Sequence, residues 1–322
     1  MDLRKIYHND IPSFLLEAAQ TPAMQRLRDV GMNCGCEYTS FPQFACWQTY
    51  SRYDHSFGTG LITWHFTQDP HQAMAALLHD IATPVFSHVV DFLRGDYLTQ
   101  ESTEDGTQHI ILQSRELMTV CQKYGIDPNR ITDYHIYPIA DNAAPKLSAD
   151  RLEYTLGNLI NFGFATVEQV KRYYDDLQVQ NQELVFSTAE TACAFAHDAL
   201  RCGKVYVSDA DRYAMQILAE LLRDGLDAGV LEEADFYSQE QDVIRKLLSS
   251  QLAPRWLAFR ALGKVERTQT PDETGRCIPA KKRFIDPAVA TGQRVSQLDH
   301  RFKKALAEFQ AYSFGNWLNE VK

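Results

Sequence analysis

Apolar residues recur with a helical period over most of the chain. IPSFLLEAAQTPAMQRLRDVG carries them at i, i+3 and i+4 and stops at Gly31, which predicts a helix with a glycine stop. Three further stretches, 55–66, 72–81 and 85–94, are rich in apolar residues and predict short helices inside a bundle. The polar GDYLTQESTEDGTQ predicts a loop, and HIILQSRELMTVCQKYG a helix closing on Gly125. Another helix is predicted from Leu147 to about Ile160. In LQVQNQELVF the period changes to two around Asn181 and Gln182, the pattern of a β-hairpin. Helices follow at about 189–202 and 209–228, with KVYVS between them read as extended. Residues 263–287 read as a β-ribbon or loop, and a last helix runs from near Ser296 toward the end. The expected fold class is all-α, a multi-helix domain with a small β-hairpin and a C-terminal α/β elaboration. Residues 1–230 would form the helical core and 231–322 an extension packed on it.

Some polar residues do not fit that pattern. His79 and Asp80 end the apolar run AMAALLHDIATPVFSH, His55 lies in SRYDHSFGTG, and Asp150 with Arg151 lies in LSADRLEYTLGN. Alone, a buried His is usually a hydrogen-bonded core residue and an Asp at a helix start an N-cap. Together, two imidazoles and two carboxylates are the ligand set of one divalent ion: Mn, Fe, Ni, Zn or Mg. Neighbours on a helix point about 100° apart, so His79 and Asp80 can share an ion only from a helix end or from between helices. Four protein ligands would leave coordination positions open, which marks a catalytic site.

The 322 residues suffice for a large core, and the net charge of −10 with a pI near 5.5 argues against broad nucleic-acid binding. MDLRKIYHND is too polar for a secretory signal, and no apolar run of about 18 residues could span a bilayer. Seven scattered cysteines fit a reduced, cytoplasmic protein. Cys34, Cys36 and Cys46 lack the paired spacing of a zinc module.

The stretches SRYDHSFGTG, ALLHDIATPVFSHVVD and LSADRLEYTLGN, preceded by TPAMQRLRDVG, resemble the HD-domain metal-dependent phosphohydrolases. They look most similar to the deoxynucleoside triphosphate triphosphohydrolase branch. The resemblance runs from about Thr21 to Asn158 and does not extend clearly into the last ~60 residues. It implies an all-helical fold with one metal held by His55, His79, Asp80 and Asp150. It also implies Arg52 and Arg151 against substrate phosphate, and Tyr154 and Asn158 near a sugar. Where those enzymes carry a second His this chain has Thr83, and where they carry a His-Glu pair the best register gives Thr103 and Glu104 and an alternative register Gln100 and Glu101. His88 and Asp91 match the family pattern. Glu104 or Asp91 would then act on the attacking water, and His88 or His109 could replace the missing proton donor. The expected function is metal-dependent hydrolysis of a nucleotide or related phosphate ester or anhydride. A catalytically weak, nucleotide-binding regulatory module is the alternative. The expected partner is a small-molecule phosphate, with no membrane or nucleic acid; self-association is left open.

Overall fold

The computed structural model describes residues 3–100 and 106–321. It is 56% helix and 7% strand, with two small antiparallel pairings, so the all-α expectation holds. Three helices carry the site. α1 (Arg52–Thr67) starts from a reciprocal cap between Ser51 and Asp54 and ends at Gln68 in the left-handed region. α2 (Pro70–Leu78) starts at the Asp69 cap with Pro70 in its first turn, and His79 is its C-cap. α3 (Ala149–Asn161) starts where the Ser148 hydroxyl accepts from Arg151 N–H, so Asp150 lies in the first turn. α1 packs along α2 and crosses α3. The crossing is tight: a methyl on Gly157 would lie 2.5 Å from Tyr50 Cζ, and one on Gly58 would lie 2.7 Å from Glu153 Cγ.

Two apolar clusters flank these helices. One gathers residues such as Leu15, Phe57, Leu77, Leu156 and Phe195, and includes Phe302 and Phe309 from near the C-terminus. The other joins Phe86, Val89 and Phe92 to Tyr213, Leu218, Phe236 and Trp256. Residues from 231 onward thus enter both clusters.

Several boundaries differ from the periodicity. The first helix is broken at Thr21–Pro22, because proline supplies no N–H and Thr21 turns its hydroxyl back to Ala18 O. The helix expected over 85–94 shrinks to α-helical Val89–Leu93; Phe86 and Ser87 have φ of +58° and +53° and cannot continue a right-handed helix. The 109–125 helix is two, Thr107–Gln113 and Arg115–Tyr124, divided at Ser114, which caps the second. KVYVS is not extended: its helix, Ala189–Val205, runs on through Lys204 and Val205 and ends in a turn.

The hairpin forms as expected, β1 (Leu177–Gln180) against β2 (Glu183–Phe186), with Asn181 and Gln182 both at positive φ. A second pair joins β3 (Val265–Thr268) to β4 (Trp317–Glu320). The last helix therefore stops at Ala311 instead of running to the end. Glu101, Thr103 and Glu104 lie outside the described residues. No described helix is long and apolar enough to cross a membrane, and all seven cysteines are free thiols.

Candidate metal centre

The end of α2 brings the expected ligands together. His79 sits where the last carbonyls of the helix lack N–H partners, and its Nδ1 is 2.7 Å from Ala76 O. Because a carbonyl only accepts, Nδ1 carries the proton and Nε2 is left as a lone pair. His55 Nδ1 faces the Glu153 carboxylate at 2.8 Å, which fixes the same tautomer. The two Nε2 atoms are 3.1 Å apart. Asp150 Oδ1 lies 3.0 Å from His55 Nε2 and 3.6 Å from His79 Nε2. Asp80 Oδ2 lies 3.8 and 3.7 Å from the same atoms.

With both rings neutral these are acceptors facing acceptors, an arrangement that a cation completes, or in its absence a proton on His55. An ion bound at about 2.1 Å places neighbouring ligand atoms roughly 3.0–3.4 Å apart, so the observed spacing fits one. His55, His79 and Asp80 form a mutually close, buried set, to which Asp150 adds by reaching both imidazoles.

The surrounding charges serve the same end. Asp80 Oδ2 takes the Arg52 Nη1 hydrogen bond at 2.9 Å and Oδ1 takes the Thr83 hydroxyl at 2.9 Å. Burial opposes ionisation of Asp80, but Arg52, His79 and His55 outweigh it and hold the carboxyl far below its usual range. Asp150 is likewise held at about 2, burial being overcome by His55. Burial would lower His55, yet its hydrogen bonds to Asp150 and Glu153 push it up to about 10. In the metal-free protein a proton on His55 stands in for the ion.

The sign of the pH dependence follows. His55 contributes stability that is fully present below its ordinary value of 6.5 and fades as pH rises through about 10. We expect the metal-free protein to lose stability over that window and the metal-loaded protein to keep it. Loading near neutral pH should release about one proton per ion. Titrating Mn²⁺ into chelator-stripped protein, with a pH indicator in light buffer, measures this; metal uptake without proton release would contradict it.

Three residues that the motifs did not single out hold the centre in place. Glu153, only 2% exposed, accepts from Tyr7 OH at 3.1 Å, from Tyr50 OH and from His55. It lies three residues after Asp150 on α3, and that spacing was the available signal. Arg26 donates to Ile81 O and Thr83 O at 3.0 and 2.7 Å, fixing the turn after Asp80. Ser87 bridges Arg52 Nε (3.0 Å) to Gly31 O (2.9 Å).

The centre opens into a cleft of about 860 Å³. Arg52, Arg151, Tyr154, Asn158 and His88 all line it. Arg151 is tied to Asn142 Oδ1 at 2.9 Å and to Asp141 at 3.1 Å. Tyr154 stands 6.4 Å from His55 between ring centroids, and Asn158 donates to Tyr206 OH at 2.9 Å. Trp47 and Phe162, stacked at 4.6 Å, make a flat wall. Asp91 is fully buried and accepts from His88 Nδ1 at 3.0 Å, so it acts behind His88. His88 Nε2 faces Arg283 at 3.2 Å; burial and then Arg283 depress His88 to about 4, so it is neutral and an acceptor at this nitrogen. His109 is exposed on the helix Thr107–Gln113, away from the cleft lining.

Fold and cluster together define a class: the chain has a phosphohydrolase fold and is a homologue of a metal-dependent phosphohydrolase. No family model matches it. It is 24% identical over 301 residues to the metal-dependent phosphohydrolase cns2 of Cordyceps militaris, covering 88% of this chain and 83% of that protein. It is 27% identical over 202 residues to the uncharacterised protein YdhJ of Bacillus subtilis, and the match spans 62% of each chain, under two thirds of the relative's length. The crystal structure of a phosphohydrolase from Bacteroides thetaiotaomicron superposes over 97% of both chains with a TM-score of 0.67 at 15% identity. Two of these three matches are phosphohydrolases by name, and neither singles out the triphosphohydrolase branch.

Proposed function

We propose that the chain hydrolyses a phosphate ester or anhydride of a small molecule, a nucleotide or a close relative, with one divalent ion held by His55, His79, Asp80 and Asp150. The observation that carries this reading is the convergence of two imidazole Nε2 atoms and two carboxylates at the cleft. Mn, Fe, Ni, Zn and Mg all suit that donor set. A bound ion would polarise a phosphoryl oxygen and lower the pKa of a water. The protein's own groups position the reactants. Arg52 fixes the Asp80 carboxylate and adds positive charge where a phosphoryl group would sit. Arg151, oriented by Asn142 and Asp141, offers a second guanidinium at the cleft wall. His88, with its proton held on Nδ1 by Asp91, accepts from Arg283 at Nε2 and so positions that guanidinium at the cleft. Tyr154, Asn158 and the Trp47–Phe162 wall suit a sugar and a planar ring. Glu104 enters this reading from the sequence alone. A reducing, cytoplasmic setting belongs to the same proposal and is supported by the seven free thiols.

One observation favours the alternative, a weak regulatory module: the Thr83 hydroxyl, where a proton donor was expected, is committed to Asp80. General acid help is worth roughly 10²–10⁴-fold, so its loss would slow turnover without preventing binding. A panel of deoxynucleotides, ribonucleotides and generic phosphate esters, each with Mn²⁺, Mg²⁺, Ni²⁺ and Fe²⁺, decides between the two. We expect metal-dependent release of phosphate, pyrophosphate or triphosphate, and the product names the bond cleaved. Tight nucleotide binding with no turnover under any metal would establish the regulatory reading instead.

A further inference from the structure

We propose that Arg283 is an anion-binding residue of the cleft, forming with the His88 side a subsite for a second anionic group, a further phosphate, on a substrate whose first phosphoryl group lies at the metal centre. This rests on the phosphohydrolase reading and adds a residue from a part of the chain where the family motifs give no guide.

The three arginines of the cleft are not alike. Arg52 is paired with Asp80 at 2.9 Å, and Arg151 with Asp141 at 3.1 Å. Each of these two guanidiniums already has one carboxylate partner. Arg283 has no carboxylate within ion-pair distance among the described residues; its hydrogen bond goes to the uncharged Nε2 of His88, at 3.2 Å. Asp211 is close enough to feel its charge, but burial holds that carboxyl up at about 7 and it accepts from the Cys36 thiol. A guanidinium lining a cleft with only a neutral imidazole as partner keeps donors and charge for an incoming anion, and its planar fork matches two phosphate oxygens.

The backbone that carries Arg283 is fixed in place. Its carbonyl lies so close to Gly203 that a methyl there would approach it to 2.6 Å. Before it, Lys282 Nζ is held by Gln310 O and Tyr312 O, each at 2.5 Å. After it, Asp286 N donates to Pro145 O at 2.9 Å. A cation so positioned binds without first losing the freedom of a mobile loop. The side chain also stands beside His88, which feels the charge of both Arg283 and Arg52, and all three line the one cleft that holds the metal centre, so an anion at Arg283 shares that cleft with the first phosphoryl group.

The test uses Mn²⁺-loaded protein with free Mn²⁺ kept in excess of the probe, and compares orthophosphate with pyrophosphate by calorimetry. Pyrophosphate should bind the parent at least about 10-fold more tightly, the increment expected of one charge-assisted contact. Arg283→Gln should lose roughly 10- to 100-fold for pyrophosphate and under about 3-fold for orthophosphate. Arg283→Lys, which keeps the charge without the fork, should fall between. Unchanged Mn²⁺ content shows that each variant is folded at the centre. Equal losses for both probes, or none in either variant, overturn the subsite and leave the phosphohydrolase reading standing. A parent that binds neither probe overturns both.

Discussion

His79→Ala and Asp80→Asn proteins, purified without chelator, should each retain less than about a tenth of the parent's bound metal. The expectation follows from the tautomers. His79 can present Nε2 because Ala76 O holds its Nδ1 proton, and Asp80 contributes a charged oxygen that Arg52 and Thr83 orient. Loss of one ligand from a four-ligand site costs more than the roughly 1.4 kcal/mol that makes a tenfold difference in affinity. The variants differ in stability. His79→Ala leaves a carbonyl without its partner, a cost of about 1–3 kcal/mol. Asp80→Asn leaves the buried Arg52 guanidinium without its counter-charge, at about 3–5 kcal/mol. Both should remain folded in a protein of ordinary stability, about 5–15 kcal/mol. Circular dichroism checks the fold and elemental analysis the metal. Folded variants with the parent's metal content would show the ligands to be wrongly assigned.

The second large effect is expected at Glu153, which touches no substrate. Glu153→Ala removes an acceptor shared by Tyr7 OH, Tyr50 OH and His55 Nδ1, and should lower stability by about 3–5 kcal/mol in urea unfolding. Glu153→Gln separates packing from tautomer control. Its carbonyl oxygen can still accept from a tyrosine, so the loss of stability should be smaller. Its amide N–H, though, can donate to His55 Nδ1 and so move the ring proton to Nε2, where it would point at the ion. Metal affinity, measured by competition with a chromogenic chelator, should fall by about 10- to 100-fold in this variant. Parent-like affinity in Glu153→Gln would mean that Glu153 supports the fold without tuning the centre.

The convergence of His55, His79, Asp80 and Asp150 was legible in the sequence because each sits in a short motif with a distinctive flank. His79 and Asp80 were also anomalous by pattern alone, being polar at the end of an apolar run. The long helices were legible from their periodic apolar positions, and the structure closes their starts with the Ser148 and Ser208 hydroxyls. What escaped were features set by tertiary contact. Glu153 reads as one more polar residue on a helix until two tyrosines from distant segments converge on it. Arg283 lies in a stretch without periodicity, and nothing local indicates that Gly203 allows its backbone to approach. The left-handed pair Phe86–Ser87 is equally silent, because an apolar run looks the same whether it coils or turns. The pairing of β3 with β4 joins segments about fifty residues apart, beyond the reach of any hairpin signal.

The most direct test of the account is to strip the parent of metal, return Mn²⁺ in steps, and follow phosphate release from the best substrate of the panel. The account predicts no release without metal, activity that rises in proportion to bound ion, and a plateau at one ion per chain. It predicts no recovery for His79→Ala over the same range of Mn²⁺. Release that persists in the stripped protein, or that returns equally in His79→Ala, would contradict it.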